Sequence, residues 1–308
     1  MFHWLDKSIS KRFGLIFFQM RLLLLQVFEA GRLVILCVWL FIRVVMEVLN
    51  CFKFFVIKRL QILAEISRTA SSVGFGEDWF KLIVSRVCLE DIHFPVLVSK
   101  LKDSNLGDDG FSSEQGFLLR VVSEIVNERI EEISVPGAFA LCVLGIFRKS
   151  VGVVDFFSRG KSGLPTDSIA INVLGYSVSI LRDICAREDP SGSGSDFKDS
   201  VDVVDRLISS GLIELFLSLL RDLEPPTTIR KAMRLSENQE GATSSYSAKT
   251  CPYMGFRKDI VAVIGNCAYR RKHVQDEIRE RNGILLLLQQ CVVDEENQFL
   301  REVGHLVC

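Results

Sequence analysis

Apolar residues recur along most of this chain at three- and four-residue steps, the period of a helix face, not in the two-residue alternation of a strand. After Ser112-Ser-Glu-Gln115, which reads as a helix start with a capping box, Leu118, Val121, Ile125, Val126, Ile130 and Ile133 form one stripe. Glu128, Arg129 and Glu131 fall outside it. Pro136-Gly137 interrupts the chain before a second apolar run, Phe139 to Phe147. Ile169 to Arg187 predicts a third helix, with Val173, Leu174, Ile180, Leu181, Ile184 and Cys185 on its apolar side. The Ser-Gly run from Ser191 to Ser195 reads as a surface loop. The pattern predicts an all-α protein.

The last fifty residues repeat a plan seen earlier. Ile260, Ile264, Cys267 and Ala268 share a helix face, and Arg270, Arg271 and Lys272 are placed to close that helix against its partial negative end. Val274 and Ile278 mark a short helix, Asn282-Gly283 a left-handed cap, and Ile284 to Leu288 a third helix. Val203 to Ile208, Gly211 and Leu212 to Leu223 follow the same order, so that Gly211-Leu212-Ile213 corresponds to Gly283-Ile284-Leu285. Between the two copies lies a polar stretch, 223–252, opened by Pro225-Pro226 and expected to be disordered. Without it the spacing falls to about 40 residues, the period of armadillo and HEAT units. The expected fold is an armadillo/HEAT-like α-solenoid, a right-handed superhelix of helical repeats. Its segments are a hydrophobic N-terminal part, 1–60, repeats over 61–222, the insert 223–252 and a final repeat, 253–308.

The N-terminal part admits more than one reading. Leu33 to Ile42 is unbroken apolar sequence, extended by Val44, Val45, Val48 and Leu49 but interrupted by Arg43 and Glu47. About a dozen apolar residues at roughly −0.3 to −0.6 kcal/mol each nearly balance two central charges at about +2.5 to +3.5. Arg43, Glu47, Asn50, Lys53, Lys58, Gln61, Glu65 and Arg68 lie close to one helical line. That narrow polar stripe favours a packed helix, with a membrane span or a surface-lying helix through 33–57 as the alternatives. A signal peptide is disfavoured by Gln19, Arg21, Glu29 and Arg32.

Composition narrows the function classes. Lys and Arg number 37 against 38 Asp and Glu, so no basic field points to nucleic acid. The nine cysteines sit singly in apolar runs without a Cys-x-x-Cys, and the four histidines are scattered. This pattern fits a reducing compartment, the cytoplasm, and offers no zinc site and no cofactor site. Gly160-Lys161-Ser162 resembles the end of a phosphate loop, but Asp155 stands where that loop needs glycine. Gly74-Phe75-Gly76 lacks the third glycine of a dinucleotide fingerprint and reads as a turn. No catalytic constellation emerges, and the expectation is a non-enzyme.

Several stretches resemble the plant-type ataxin-10 family of the armadillo superfamily. They are Ala64 to Phe80, Phe111-Ser-Ser-Glu-Gln115, Ser123 to Ile130, Arg159 to Pro165, Leu181 to Ala186 and, most specifically, Tyr253 to Glu302. The resemblance covers about 62–302, with both ends altered. After Arg301-Glu302 the family continues with a tryptophan-bearing helix, whereas here Val303-Gly-His-Leu-Val-Cys308 follows. Without that helix an apolar end is expected around Leu286, Leu288 and Leu300, so that a truncated form without independent function is one alternative and a solenoid fragment anchored to a membrane through 33–57 another. The resemblance implies a cytoplasmic scaffold that binds other proteins and takes part in cytokinesis, with a homo-oligomer compatible and nucleic acid excluded. By resemblance to armadillo repeats, Asn266 contacts a partner's extended backbone, and Arg270, Arg271 and Lys272 extend that partner surface. A solvated or locally bonded asparagine is the alternative at Asn266.

Overall fold

Ser112 shows why the first long helix begins where it does. Its hydroxyl accepts the Gln115 amide N–H at 3.1 Å, and its own N–H donates to Gln115 Oε1 at 3.0 Å, a complete reciprocal cap. The same two side chains reach backward. Ser112 Oγ donates to the Leu101 carbonyl and Gln115 Nε2 to the Val98 carbonyl, each at 2.7 Å. One capping box thus starts a helix and satisfies the open carbonyls ending the preceding one.

The computed structural model describes residues 78–90, 93–102, 110–129, 132–157, 160, 162–187, 203–240, 248–292 and 300, all within the unit Gln61–Cys308. The hydrophobic segment 33–57, Gly74-Phe75-Gly76, Lys161, the 191–195 run, 241–247 of the insert and the residues after 300 lie outside them. Eleven α-helices are named among the described residues: α1 (Asp78–Ser85), α2 (Phe94–Lys100), α3 (Ser113–Arg129), α4 (Gly137–Val153), α5 (Ile169–Ala186), α6 (Val203–Ser209), α7 (Leu212–Asp222), α8 (Thr227–Glu240), α9 (Phe256–Ala268), α10 (Lys272–Glu280) and α11 (Gly283–Leu288). A π-helical turn, Arg86–Glu90, follows α1, and a 3-10 turn, Gln289–Cys291, follows α11. The class is all-α, as the spacing predicts.

The helices pack in series. α1 packs on α3, α3 on α5, and α5 on α9. Beside this row, α2 packs on α4, α4 on α5 and α6, and α7 on α9 and α11. α5 is the hub. Ser168 caps it by accepting the Ile171 N–H, and Val173, Leu174, Val178, Ile180 and Leu181 are all fully buried. Each such side chain contributes about 1.5–3 kcal/mol relative to exposure. Phe147 of α4 stacks on Phe216 of α7 at 4.8 Å, which ties the second row together. Among the described residues α5 is also the helix long and apolar enough to cross a membrane by length and composition, yet its apolar sides are covered by α3, α4 and α9.

Three expectations need correction. First, α9 ends at Ala268, so Arg270, Arg271 and Lys272 lie beyond its last turn. Tyr269 is the cap residue, Arg270 turns left-handed at φ 55°, and Lys272 already opens α10. Of the three, Arg271 does reach a last carbonyl, donating to that of Asn266 at 3.4 Å, and the Ala268 carbonyl is met by Gln275 at 3.1 Å.

Second, the repeat register shifts by one. The left-handed residue before α7 is Gly211 (φ 81°), and before α11 it is Asn282 (φ 55°). Aligning those two matches buried Leu212 with Gly283 and buried Phe216 with Leu287, whereas the glycine-to-glycine match sets Phe216 against half-exposed Leu288. Gly283 is glycine for another reason. A Cβ there would stand 2.9 Å from Ile278 Cγ2 and 3.0 Å from the Ile278 carbonyl oxygen.

Third, the insert expected to be disordered contains α8 and an ordered return. Leu223, after Pro-limited α7, forms a parallel bridge with Lys249. Glu224 N–H donates to the Lys249 carbonyl at 2.7 Å, and Lys249 N–H to that of Asp222 at 3.0 Å. Pro225-Pro226 stops α7 and also starts α8, because the Pro226 carbonyl accepts the Arg230 N–H. The returning chain then lies along the loop after α4. Thr250 N–H donates to the Phe156 carbonyl, Gly160 N–H to that of Cys251, and Met254 N–H to that of Ser162. Gly160 and Ser162 are therefore held against this strap, between α4 and α5 as the resemblance implies.

Candidate functional site

The row α3, α5, α9 carries its polar residues at matching places. Asn127, Asp183 and Asn266 each sit two or three residues before the last residue of their helices. Packing brings them into contact. Asn127 Nδ2 donates to Asp183 Oδ2 at 3.3 Å, and Asn266 Nδ2 donates to the Arg182 carbonyl at 3.1 Å. Arg182 is the junction: its guanidinium meets Asp183 on its own helix and Asp259 of α9, both at 2.9 Å. Burial alone would lower the Arg182 pKa, but the two carboxylates raise it, and the cation is held firmly. Asp259, which is buried, also accepts the Tyr253 hydroxyl at 2.9 Å. Burial first, and then this carboxylate, push the Tyr253 phenol well above its ordinary range.

At the other edge of the row, Lys81 of α1 pairs with Glu128 at 2.6 Å and Glu124 at 3.4 Å. Burial would lower the Lys81 pKa; its hydrogen bond to Glu128 and the charges of both glutamates outweigh it and raise it. Tyr176 of α5 is half-buried, and its phenol is lifted chiefly by burial. The outcome is a polar face that crosses four helices and is knitted by contacts between them.

Of the residues singled out from sequence, Asn266 and Arg271 are engaged within the chain. Arg271 is mostly covered and its Nε lies 3.9 Å from Asp205 Oδ1 of α6, which also stands 3.6 Å from His273 Nε2. Arg270 and Lys272 are exposed. The Arg270 guanidinium lies 4.9 Å above the ring of Tyr269, itself 53% exposed. Sequence reasoning misses Asn127, Arg182, Asp183 and Asp259. The signal for the first and third is their distance from the helix end, visible once the ends of α3, α5 and α9 are aligned.

The cysteines described are free thiols, and Cys88, Cys185 and Cys267 are buried. Burial raises the Cys88 thiol far above its ordinary value and the Cys142 thiol to about 11, so neither is an activated nucleophile. Among the described residues no three His, Cys, Asp or Glu side chains gather as a metal site.

Among the described residues the architecture is all-helical, with serially packed helices that share a polar face. The chain's C-terminal block identifies the relationship. Residues 256–308 match the spinocerebellar ataxia type 10 protein domain, and through it the chain is related to the ataxin-10 family. The match runs to residue 308, past Arg301-Glu302, and so includes the altered end Val303–Cys308. Ataxin-10 of Bos taurus is 34% identical over 95 residues, 30% of this chain and 19% of that protein. The Ataxin-10 homolog of Kluyveromyces lactis is 36% identical over 50 residues, 16% of this chain and 9% of that protein. The Ataxin-10 homolog of Dictyostelium discoideum is 38% identical over 48 residues, 16% and 8% of the two chains. The matched segments thus span a fifth or less of these relatives' length. No solved structure matches the chain.

Proposed function

We propose that this chain is an armadillo-type interaction scaffold whose partner face is the polar ridge of α3, α5 and α9. The observation that carries this reading is the contact series Asn127–Asp183 and Asn266–Arg182 across three consecutively packed helices. Amide side chains near the ends of stacked helices present donors and acceptors at the spacing of the helices themselves. An extended partner backbone has unpaired groups to offer at each step. The glycine- or asparagine-marked plan of α6–α7 and α10–α11 supports reading the array as repeats of one unit. The family relationship supports a cytoplasmic role in cytokinesis, and the single cysteines in apolar runs agree with that compartment.

The test is capture of partners from a cell lysate by the full chain and by an Asn127→Ala/Asn266→Ala variant. Both must first show the same helical signal and cooperative melting. Wild type is expected to retain a defined set of proteins that the variant loses. An identical set on both, or nothing above a control column on folded wild type, overturns the reading.

A further inference from the structure

The turn joining α9 to α10, Tyr269-Arg-Arg-Lys272, holds two exposed cations, Arg270 and Lys272. Arg271 faces Asp205, Arg279 pairs with Asp276, and Arg281 lies 3.0 Å from Glu277 and 3.3 Å from Glu214. Arg270 and Lys272 are exposed and, among the described residues, have no carboxylate within ion-pair distance. Arg270 is also in a conformation that an L-residue adopts at a cost. Its φ is 55°, whereas the turns before α7 and α9 place glycine in the left-handed region, Gly211 at 81° and Gly255 at 97°. An arginine kept where glycine fits better points to a use for the side chain. The Tyr269 ring holds its guanidinium from one face at 4.9 Å and leaves the edge donors open to solvent. Arg271 ties this turn to Asn266, so the two cations continue the ridge described above.

We propose that Arg270 and Lys272 anchor an acidic segment of the protein that this ridge binds, an inference that rests on the scaffold reading. A carboxylate matches the open edge of a guanidinium in a two-bond fork, with Lys272 supplying a second point charge nearby. Nucleic acid would ask for a basic stripe over a wide surface, while the next cations along the chain, Arg279 and Arg281, are already paired with Asp276 and Glu277 and the chain's net charge is −1. An anionic membrane would ask for a cluster of four or more unneutralised cations.

The experiment measures fluorescence polarisation of a labelled deca-glutamate peptide with the full chain and with Arg270→Gly, Lys272→Ala and the double variant. Wild type binds with an affinity that falls as salt rises, and the double variant loses about tenfold. Arg270→Gly melts no lower than wild type, because glycine relieves the left-handed strain, so its lost affinity is not lost folding. Equal binding by wild type and double variant overturns the proposal. So does failure of wild type to bind the peptide, including the case where it binds anionic phosphatidylserine vesicles instead. Lysate capture on the same proteins separates the two readings. If Asn127→Ala/Asn266→Ala loses partners while Arg270→Gly/Lys272→Ala keeps them all, the ridge stands and the anchor falls. If only the basic variant loses them, the ridge reading falls, and with it the anchor as an addition to that ridge.

Discussion

Gly160 shows how one residue type records a distant contact. A Cβ on it would lie 1.9 Å from the Pro252 carbonyl oxygen and 2.8 Å from Tyr253 Cα, both backbone atoms that cannot rotate away. Gly160→Ala is therefore expected to push the strap off the loop and to cost about 1–3 kcal/mol in a urea melt. An unchanged midpoint would refute the close approach. The sequence gives no hint of this, because the glycine and its neighbour in space are far apart along the chain. The same limit hides the Arg182–Asp259 pair, separated by 77 positions. What is legible at this scale is local chemistry. Ser112 with Gln115 announces a capping box, and Asn282 before a leucine run announces a left-handed cap. The left-handed Arg270 carries no such announcement, since its neighbours are cations that equally suit a helix end.

Helices with a covered apolar stripe are legible before any coordinates. α3 and α4 start, and α5 and α7 both start and stop, close to where spacing and breakers place them. α8 is not, because its residues make few buried contacts; Met233 and Leu235 are 49% and 73% exposed. Its polar composition reads equally well as loop. The ends of the insert, however, are held by the Leu223–Lys249 bridge and by Lys249 Nζ, 3.1 Å from Asp222. Replacing 227–247 with a short glycine-serine linker is thus expected to leave the remaining helices folded, since closure entropy changes slowly with loop length. The melting temperature of the shortened chain is the measurement, and collapse of the cooperative transition would show that the insert supports the repeats.

Across the whole molecule, burial acts on several titratable groups in one direction. The Cys88 and Cys142 thiols and the Tyr176 and Tyr253 phenols all have raised pKa values in the folded protein, with burial as the leading cause. The unfolded chain releases these protons near the ordinary values of 9.0 and 10.0, whereas the folded chain keeps them. Their contribution to stability is complete below those values and declines as the pH rises beyond them. Urea midpoints under reducing conditions are expected to hold steady to about pH 8.5 and then fall, with a shallower fall in Tyr253→Phe. A flat profile to about pH 11 would contradict the burial of these groups. The bridge at the foot of the insert has a different kind of consequence. Because the chain leaves and re-enters the array at one fixed point, mutation is free to lengthen, trim or rewrite what lies between. New binding or regulatory text can then be trialled in descendants of this gene while the helices on either side keep their pairing.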